Sequence, residues 1–241
     1  MIEQNNGKKI YKCDFHIHVK GDPKDCDLKY TIKELILEAE KQNFDILAIT
    51  NHNQIFDISR YNRFAKAHNI LLIPGVEINL GRNHVVILFA QKSALQIKTF
   101  ADLAKYRKNH PKSIIIAPHP FYKAPSCLGR HLENNIDLFD SIEYCHFHMK
   151  LFNFPNLKAV RLAKKHHKTI VGSSDVHKIK FFGTTYTLLE MKKFTTEEIH
   201  KSLRNISKVN YKSSQLPFFT AIYYISKSVF FYILQHIFRI K

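Results

Sequence analysis

Short apolar segments alternate with longer amphipathic segments along most of this chain, and this alternation limits the folds that it can form. The apolar segments predict strands over residues 11–18, 45–50, 70–76, 85–90, 113–117, 142–145 and 169–172. Helical periodicity falls between them, over residues 32–42, 58–68, 97–109 and 157–167. Such a pattern is typical of a parallel sheet covered by helices. It favours an α/β barrel over an open sheet, although alternation alone does not separate the two.

The first predicted helix has a capping signal at its start. Thr31 precedes the helix and Glu34 stands three residues later, which is the spacing of a capping box. Leu35, Ile36 and Ala39 share one face of the helix, so we expect that face to be buried.

The composition is that of a folded protein with a strongly basic surface. Hydrophobic residues make up 45% of the 241 residues and charged residues 24%, which excludes a disordered or fibrous chain. No linker divides the sequence, so we predict one domain over residues 1–212 and a separate tail over residues 213–241. The net charge of +17 favours anionic partners such as phosphate esters, nucleic acid or acidic lipid.

Cysteine usage and the N-terminus indicate a cytoplasmic protein. The four cysteines are scattered without a Cys-x-x-Cys pair, so neither a zinc knuckle nor a disulfide framework is predicted. The first nine residues are polar and lack the apolar segment of a secretory signal. We therefore expect reduced thiols and a cytoplasmic location.

Residues 216–241 differ from the rest of the chain because they are rich in Phe, Tyr and Ile. Lys227 interrupts this segment, and a membrane span usually needs about 20 uninterrupted apolar residues. We predict an amphipathic, aromatic-rich C-terminal helix packed on the barrel. Attachment to a membrane surface and a dimer contact are the alternatives.

Side chains that bind metals recur where the predicted strands end. In an α/β barrel those ends form the active-site face. The side chains are His16, His18, His52, Glu77, His119, Asp175 and His177, with His84 just before a strand as the exception. Charged groups that converge at one end of a barrel need a cation to balance them. Imidazoles and carboxylates without thiolates suit Zn²⁺, Mn²⁺ or Fe²⁺, and the number of ligands implies two or three ions.

Six motifs, in this order and spacing, resemble the PHP (polymerase and histidinol phosphatase) superfamily of metal-dependent phosphoesterases. They are His16-Ile17-His18, Ile49-Thr50-Asn51-His52-Asn53, Pro74-Gly75-Val76-Glu77-Ile78, His84-Val85-Val86, Pro118-His119-Pro120 and Gly172-Ser173-Ser174-Asp175-Val176-His177. The resemblance covers roughly residues 13–187. It implies a distorted (β/α)7 TIM-like barrel, a cluster of two or three divalent metal ions, and hydrolysis of a phosphate ester.

The resemblance also implies roles for individual residues. The implied metal ligands are His16, His18, Asp25, His52, Glu77, His84, His119, Asp175 and His177. Glu77 stands where the family has a bridging carboxylate, and His119 and His177 are candidate proton donors to the leaving group. Asp22 and Asp25 both compete for one ligand position, and we assign it to Asp25.

One motif departs from the family pattern. The family usually has Asp in its Thr-Asp-His motif, whereas this chain has Asn51 before His52. A carboxylate beside a ligating histidine orients the ring and raises its basicity. We therefore expect weaker orientation of His52.

The implied function is hydrolysis of a phosphate monoester in a small metabolite or nucleotide. Lys123, Arg130 and His131 are the candidates for binding the substrate phosphate. A nuclease acting on nucleic-acid ends and a non-catalytic metal-binding adaptor are the alternatives. We assign no metal to the second His-x-His pair, His146 and His148, because no matching ligand group appears nearby.

Overall fold

The computed structural model of the protein describes residues 8–148 and 153–215. These residues form nine strands: β1 Lys9–Ile17, β2 Ile46–Ile49, β3 Leu71–Leu80, β4 Asn83–Leu88, β5 Ile114–Ala117, β6 Ser141–Cys145, β7 Thr169–Ser173, β8 Thr185–Met191 and β9 Val209–Ser213. They also form six α-helices: α1 Ile32–Lys41, α2 Asn62–Ala67, α3 Phe100–Asn109, α4 Arg130–Asn134, α5 Phe154–Lys165 and α6 Thr196–Leu203. Every strand and helix predicted from the alternation is present, with shifted ends.

The nine strands form one sheet in the order β7-β6-β5-β4-β3-β2-β1-β8-β9. The prediction of a parallel sheet is wrong, because four strand pairs are parallel and four are antiparallel. The physical reason is visible between β3 and β4, where Gly81 has a φ of 63° and allows a tight hairpin. The count of seven strand–helix units is not confirmed, since the described residues contain nine strands.

Contacts between β7 and the far end of the sheet bring it close to a closed barrel. Gly172 in β7 packs directly on β8 and β9, because a Cβ atom there would lie 2.7 Å from Tyr186 O and 2.9 Å from Tyr211 Cβ. Thr187 Oγ1 in β8 donates a hydrogen bond of 2.8 Å to Gly172 O. A parallel bridge also joins Ile17 at the end of β1 to Val176. The ends of β1 and β7 therefore lie together.

Helix α1 shows how the helical layer is attached to the sheet. Thr31 Oγ1 accepts a hydrogen bond from Glu34 N, and the Glu34 carboxylate accepts one from Thr31 N, which confirms the predicted capping box. Leu35, Ile36 and Ala39 are fully buried against the sheet. Burying a Leu or Ile side chain stabilises a fold by about 1.5–3 kcal/mol.

The predictions for the C-terminal tail fall on residues 216–241, which lie outside the described residues. The domain boundary at residue 212 and the amphipathic aromatic-rich helix therefore stay predictions. Within residues 8–148 and 153–215, no helix has the length and apolar character needed to cross a membrane.

Candidate metal centre

The two histidines of the first motif lie side by side at the end of β1. His16 Nε2 and His18 Nε2 are 3.2 Å apart, and both side chains are buried. Period-two geometry in an extended strand points residues i and i+2 to the same side, which explains why both rings enter one pocket.

Glu77, in the middle of β3, lies at the centre of this pocket and is 1% exposed. Its carboxylate oxygens lie within 3.5 Å of five imidazole nitrogens, which belong to His16, His18, His52, His84 and His119. Burial raises the pKa of Glu77, but the neighbouring charges of His16 and His84 outweigh it and hold the pKa well below its usual value. Glu77 is therefore an ionised carboxylate surrounded by imidazoles.

Asp175 and His177, after β7, close the pocket on the side nearest solvent. Asp175 Oδ1 lies 3.3 Å from His18 Nε2 and 3.5 Å from His16 Nε2. His177 Nε2 lies 3.0 Å from Asp25 Oδ2, and the same oxygen lies 3.2 Å from His52 Nδ1. All nine predicted metal ligands thus lie in one continuous cluster. That they bind metal ions stays a prediction.

Sharp turns of the backbone bring two of these side chains into the cluster. His119 follows β5 with a φ of 30°, and Asp175 follows β7 with a φ of 44°. A side chain other than glycine is strained in this left-handed region by about 1–3 kcal/mol. The surrounding structure therefore holds both residues in conformations that an isolated chain avoids.

Asp22 also reaches the cluster, from the same loop as Asp25. Its carboxylate is buried and lies 2.8 Å from His18 Nδ1 and 3.1 Å from His52 Nδ1, and it accepts the backbone N–H of His52. Burial raises the pKa of Asp22, but hydrogen bonds from His18 and His52 lower it more, to well below the usual range. Asp22 is thus an anion that fixes two imidazole rings, whereas Asp25 lies nearer solvent with 26% of its side chain exposed.

Asn51, which replaces the family Asp before His52, forms hydrogen bonds with the backbone of Val19. Its Oδ1 accepts a hydrogen bond of 2.9 Å from Val19 N, and its Nδ2 donates one of 3.3 Å to Val19 O. The amide therefore ties the loop after β2 to the end of β1. Because Asp22 holds the ring of His52, the replacement of the family Asp by Asn51 does not leave that ring without an orienting carboxylate.

Two buried carboxylates without a predicted role lie beside the first motif. Glu143 Oε2, in β6, lies 2.9 Å from His16 Nδ1. Asp14 accepts backbone N–H groups of His16 and Ser174, and burial raises its pKa to about 7. In the sequence, both Glu143 and Asp14 stand out as charged residues within an apolar strand, and this pattern could have identified them.

The predicted phosphate-binding residues lie outside this cluster of contacts. Lys123, Arg130 and His131 are exposed, and the ring of His131 stacks on Phe100 of α3 with ring centroids 5.8 Å apart. Their role in binding substrate stays a prediction.

The two histidines of the second pair have different surroundings. Burial lowers the pKa of His146 to about 4, and the nearby charges of Asp175 and His177 also act on it, so His146 lies close to the cluster. His148 Nδ1 lies 3.2 Å from Ser213 Oγ in β9. Within the described ranges, the groups of side chains able to hold a metal ion do not include His146 or His148.

The donor atoms of the cluster fit divalent cations. Ligand atoms fall within 4.8 Å of one another in three groups: His18 with Asp22, Asp25 and His52; His16 with His18 and Asp175; and His52 with Glu77 and His84. Glu77 Oε1 and His84 Nδ1 are buried 2.7 Å apart, and neither makes a hydrogen bond. Buried polar atoms are rarely left without a partner, and a cation would satisfy both. Imidazole and carboxylate ligands suit Zn²⁺, Mn²⁺ or Fe²⁺.

A nearly closed barrel with a pocket of buried imidazoles and carboxylates, most of them at strand ends and Glu77 within β3, is an architecture suited to metal-dependent hydrolases. The sequence matches the PHP domain over residues 14–209, and the chain belongs to this family. The resemblance drawn from the motifs is therefore confirmed. The expected enzyme class, a metal-dependent hydrolase of phosphate esters, is confirmed at the level of the family. No curated protein matches the sequence.

Solved structures with the same fold include a predicted phosphoesterase and an endonuclease. A two-domain protein from Bacteroides vulgatus containing a predicted PHP-like metal-dependent phosphoesterase has a TM-score of 0.69 and 20% identity, over 89% of this chain and 68% of that one. PsfC from Pseudomonas syringae has a TM-score of 0.63 and 16% identity, over 86% and 92%. A lesion-specific endonuclease from Pyrococcus furiosus has a TM-score of 0.59 and 15% identity, over 84% and 58%. At these identities the similarity establishes the fold.

Proposed function

We propose that this protein is a phosphatase that hydrolyses a phosphate monoester of a small metabolite or nucleotide on two or three divalent cations. The observation that carries the proposal is the central position of Glu77, whose two oxygens face five imidazoles. Glu77 belongs to one of the three candidate ligand groups and contacts histidines of the other two. An ionised, buried carboxylate in this position suits a ligand shared between neighbouring cations.

Bound divalent cations supply an activated water at neutral pH and neutralise the phosphoryl oxygens. The residues of the chain provide the geometry for this chemistry. Asp22 and Glu143 hold the rings of His18, His52 and His16, so that their free nitrogens face the pocket. The pocket needs no Ser or Cys nucleophile.

Protonation of the leaving group falls to His177 in this proposal. Its side chain is 40% exposed, whereas that of His119 is 12% exposed and faces Glu77 and Cys127. Without cations in the site, burial lowers the pKa of His177, but Asp175 and Asp25 outweigh it and raise the pKa to about 9. A protonated imidazole at the mouth of the pocket is suited to donate to a departing alkoxide, and in this role His177 does not bind a cation.

Hydrolysis of nucleic-acid ends is the second candidate function. Two observations favour it: the net charge of +17, which attracts polyanions, and the similarity in fold to an endonuclease. The monoesterase is preferred because the basic residues are spread over the whole sequence instead of forming a patch with aromatic residues. A non-catalytic metal-binding adaptor is the third candidate, and a cytoplasmic location remains part of the proposal.

A single set of assays separates these functions. Protein reconstituted with Mn²⁺, Zn²⁺ or Fe²⁺ is tested on p-nitrophenyl phosphate, a panel of phosphometabolites and an end-labelled oligonucleotide. Hydrolysis of monoesters alone supports the phosphatase, and loss of labelled nucleic-acid ends supports the nuclease. Full metal content without hydrolysis of any substrate supports the adaptor and contradicts the phosphatase.

Matched variants test whether the activity belongs to the cluster. His16→Ala and Asp175→Ala should abolish hydrolysis. His68→Ala is the control, because His68 contacts Glu40 on the helical layer instead of the pocket. Equal activity in all three variants would place the reaction elsewhere.

A further inference from the structure

The loop between β1 and α1 brings an amine to the metal-ligand cluster. Lys24 Nζ lies 2.7 Å from His84 Nε2, on the side of the imidazole away from Glu77. The residues predicted from the sequence to bind phosphate, Lys123, Arg130 and His131, are all exposed. Lys24 is exposed as well, but its ammonium contacts a predicted metal ligand, whereas His131 stacks on the helical layer.

The position of Lys24 is fixed by its neighbours in the loop. Lys24 N donates a hydrogen bond of 2.8 Å to Asp22 Oδ1, and Asp25 N donates one of 3.2 Å to the same oxygen. Asp22 is in turn anchored to His18 and His52. The backbone of Lys24 is thus held against the cluster, and only its side chain is free to adjust.

The hydrogen bond between Lys24 and His84 would be lost if His84 bound a cation. An ammonium group has three donors and no acceptor, so Lys24 needs a lone pair on His84 Nε2. A cation at Nε2 uses that lone pair, and a cation at Nδ1 leaves the proton of the neutral ring on Nε2. In either case Lys24 loses its acceptor on the ring, while its backbone stays hydrogen-bonded to Asp22 beside the pocket.

We infer that Lys24 is a substrate-binding residue whose ammonium contacts a phosphoryl oxygen of the ester bound at the cluster. This inference rests on the proposed function, because it requires a phosphate ester in the pocket. Phosphoryl oxygens are strong acceptors, and a hydrogen bond between opposite charges is roughly twice as strong as a neutral one. The substrate therefore supplies the acceptor that Lys24 loses.

Lys20 provides a matched control in the same loop. Lys20 is exposed, and its nearest described role is electrostatic. Hydrogen bonds from Thr31 lower the pKa of Glu34 at the start of α1, and the charge of Lys20 lowers it by a smaller amount. Lys20→Met removes the same charge from the surface as Lys24→Met without touching the cluster.

The test measures binding of inorganic phosphate to Mn²⁺-loaded protein by calorimetry, with metal content determined by elemental analysis. Lys24→Met should keep its metal and bind phosphate roughly tenfold or more weakly, as expected for a charged hydrogen bond. Lys24→Arg should retain most of the binding, and Lys20→Met should equal the unsubstituted protein. Equal phosphate affinity in Lys24→Met and Lys20→Met, or loss of metal from Lys24→Met, would overturn the inference.

The same samples separate this inference from the proposed function. Protein that binds metal and phosphate but hydrolyses no ester contradicts the phosphatase, while a Lys24-dependent phosphate affinity still supports the inference. Hydrolysis of p-nitrophenyl phosphate with a phosphate affinity independent of Lys24 supports the phosphatase and overturns the inference.

Discussion

Glu143 Oε2 lies 2.9 Å from His16 Nδ1, and both side chains are almost completely buried. The second oxygen of Glu143 has no hydrogen-bond partner, so the imidazole of His16 is the group that hydrogen-bonds to this buried carboxylate. A carboxylate on one nitrogen of an imidazole fixes the ring and raises the basicity of the other nitrogen. Here the other nitrogen, His16 Nε2, faces Glu77 and Asp175.

We predict that Glu143→Gln weakens metal binding by about 10- to 100-fold, the usual effect of removing a carboxylate behind a ligating histidine. The amide keeps the shape of the side chain but loses the charge that holds His16. Titration of the metal-free protein with Mn²⁺ measures the change. Glu133→Gln, which removes only a surface ion pair with Lys158, should bind Mn²⁺ normally. The same affinity in both variants would refute a positioning role for Glu143.

Asn substitutions at Asp22 and Asp25 should have different effects, because the two carboxylates make different contacts. Asp22 is buried and fixes both His18 and His52, whereas Asp25 is partly exposed and contacts His52 and His177. We expect Asp25→Asn to lose one metal ion with little change in melting temperature. Asp22→Asn should lower the melting temperature as well as the metal content.

Elemental analysis and thermal unfolding of the two variants provide the measurements. Asp27→Asn, an exposed carboxyl group in the same loop, is the control. Full metal content in Asp25→Asn together with loss of one ion in Asp22→Asn would transfer the predicted ligand role from Asp25 to Asp22.

The strand ends and their polar residues were predictable because both depend on local sequence. The two-residue period of a strand places His16 and His18 on the same side, and this does not depend on the rest of the fold. Strand β8 was not identified, although its residues alternate between buried and partly exposed positions. Its antiparallel pairing with β1 joins segments that are far apart in the chain, and no local signal specifies that pairing.

The contacts that organise the site depend on tertiary packing. Glu143 and His16 are separated by 127 residues, and Lys24 and His84 by 60. The choice between Asp22 and Asp25 depends on how one loop folds over the cluster. Spacing in the sequence does not determine these relationships, because each needs the barrel to be assembled first.

Restoring the family carboxylate should harm this protein. In Asn51→Asp the oxygen that accepts from Val19 N remains, but the donor to Val19 O is lost and an ionised group is buried in its place. Val19 O keeps a hydrogen bond from Asp22 N, so the variant loses one hydrogen bond, worth about 0.5–1.5 kcal/mol, and also places a buried charge beside a carbonyl oxygen. We therefore expect a less stable protein whose metal affinity does not rise.

Urea unfolding and Mn²⁺ titration of Asn51→Asp test this prediction. Asn53→Asp is the control, since Asn53 is exposed and accepts a hydrogen bond from Asn79 N through an oxygen that Asp retains. A more stable Asn51→Asp variant with tighter metal binding would mean that Asn51 does weaken the site.

Asp140 should control the acid stability of the barrel away from the metal-ligand cluster. Its carboxylate accepts hydrogen bonds from Arg107, Arg204 and Ile115 N. Burial raises the pKa of Asp140, but the hydrogen bond from Arg107 and the other partners lower it more, so that the pKa lies below its usual value. The stabilisation is therefore complete above the unfolded-state pKa of about 3.9 and is lost as the pH falls through the folded-state value.

We expect Asp140→Asn to lower the free energy of unfolding at neutral pH by about 2 kcal/mol. The loss should be smaller than for a fully buried ion pair, because the side chains of Arg107 and Arg204 are each about one-third exposed. The difference from the unsubstituted protein should shrink as the pH is lowered below about 3.9, since the native carboxylate then becomes protonated as well. Urea unfolding at several pH values measures both effects. Asp137→Asn, which changes an exposed neighbour, should alter neither the free energy of unfolding nor its pH dependence. A loss of stability in Asp140→Asn that stays constant with pH would show that packing, not charge, accounts for the contribution of Asp140.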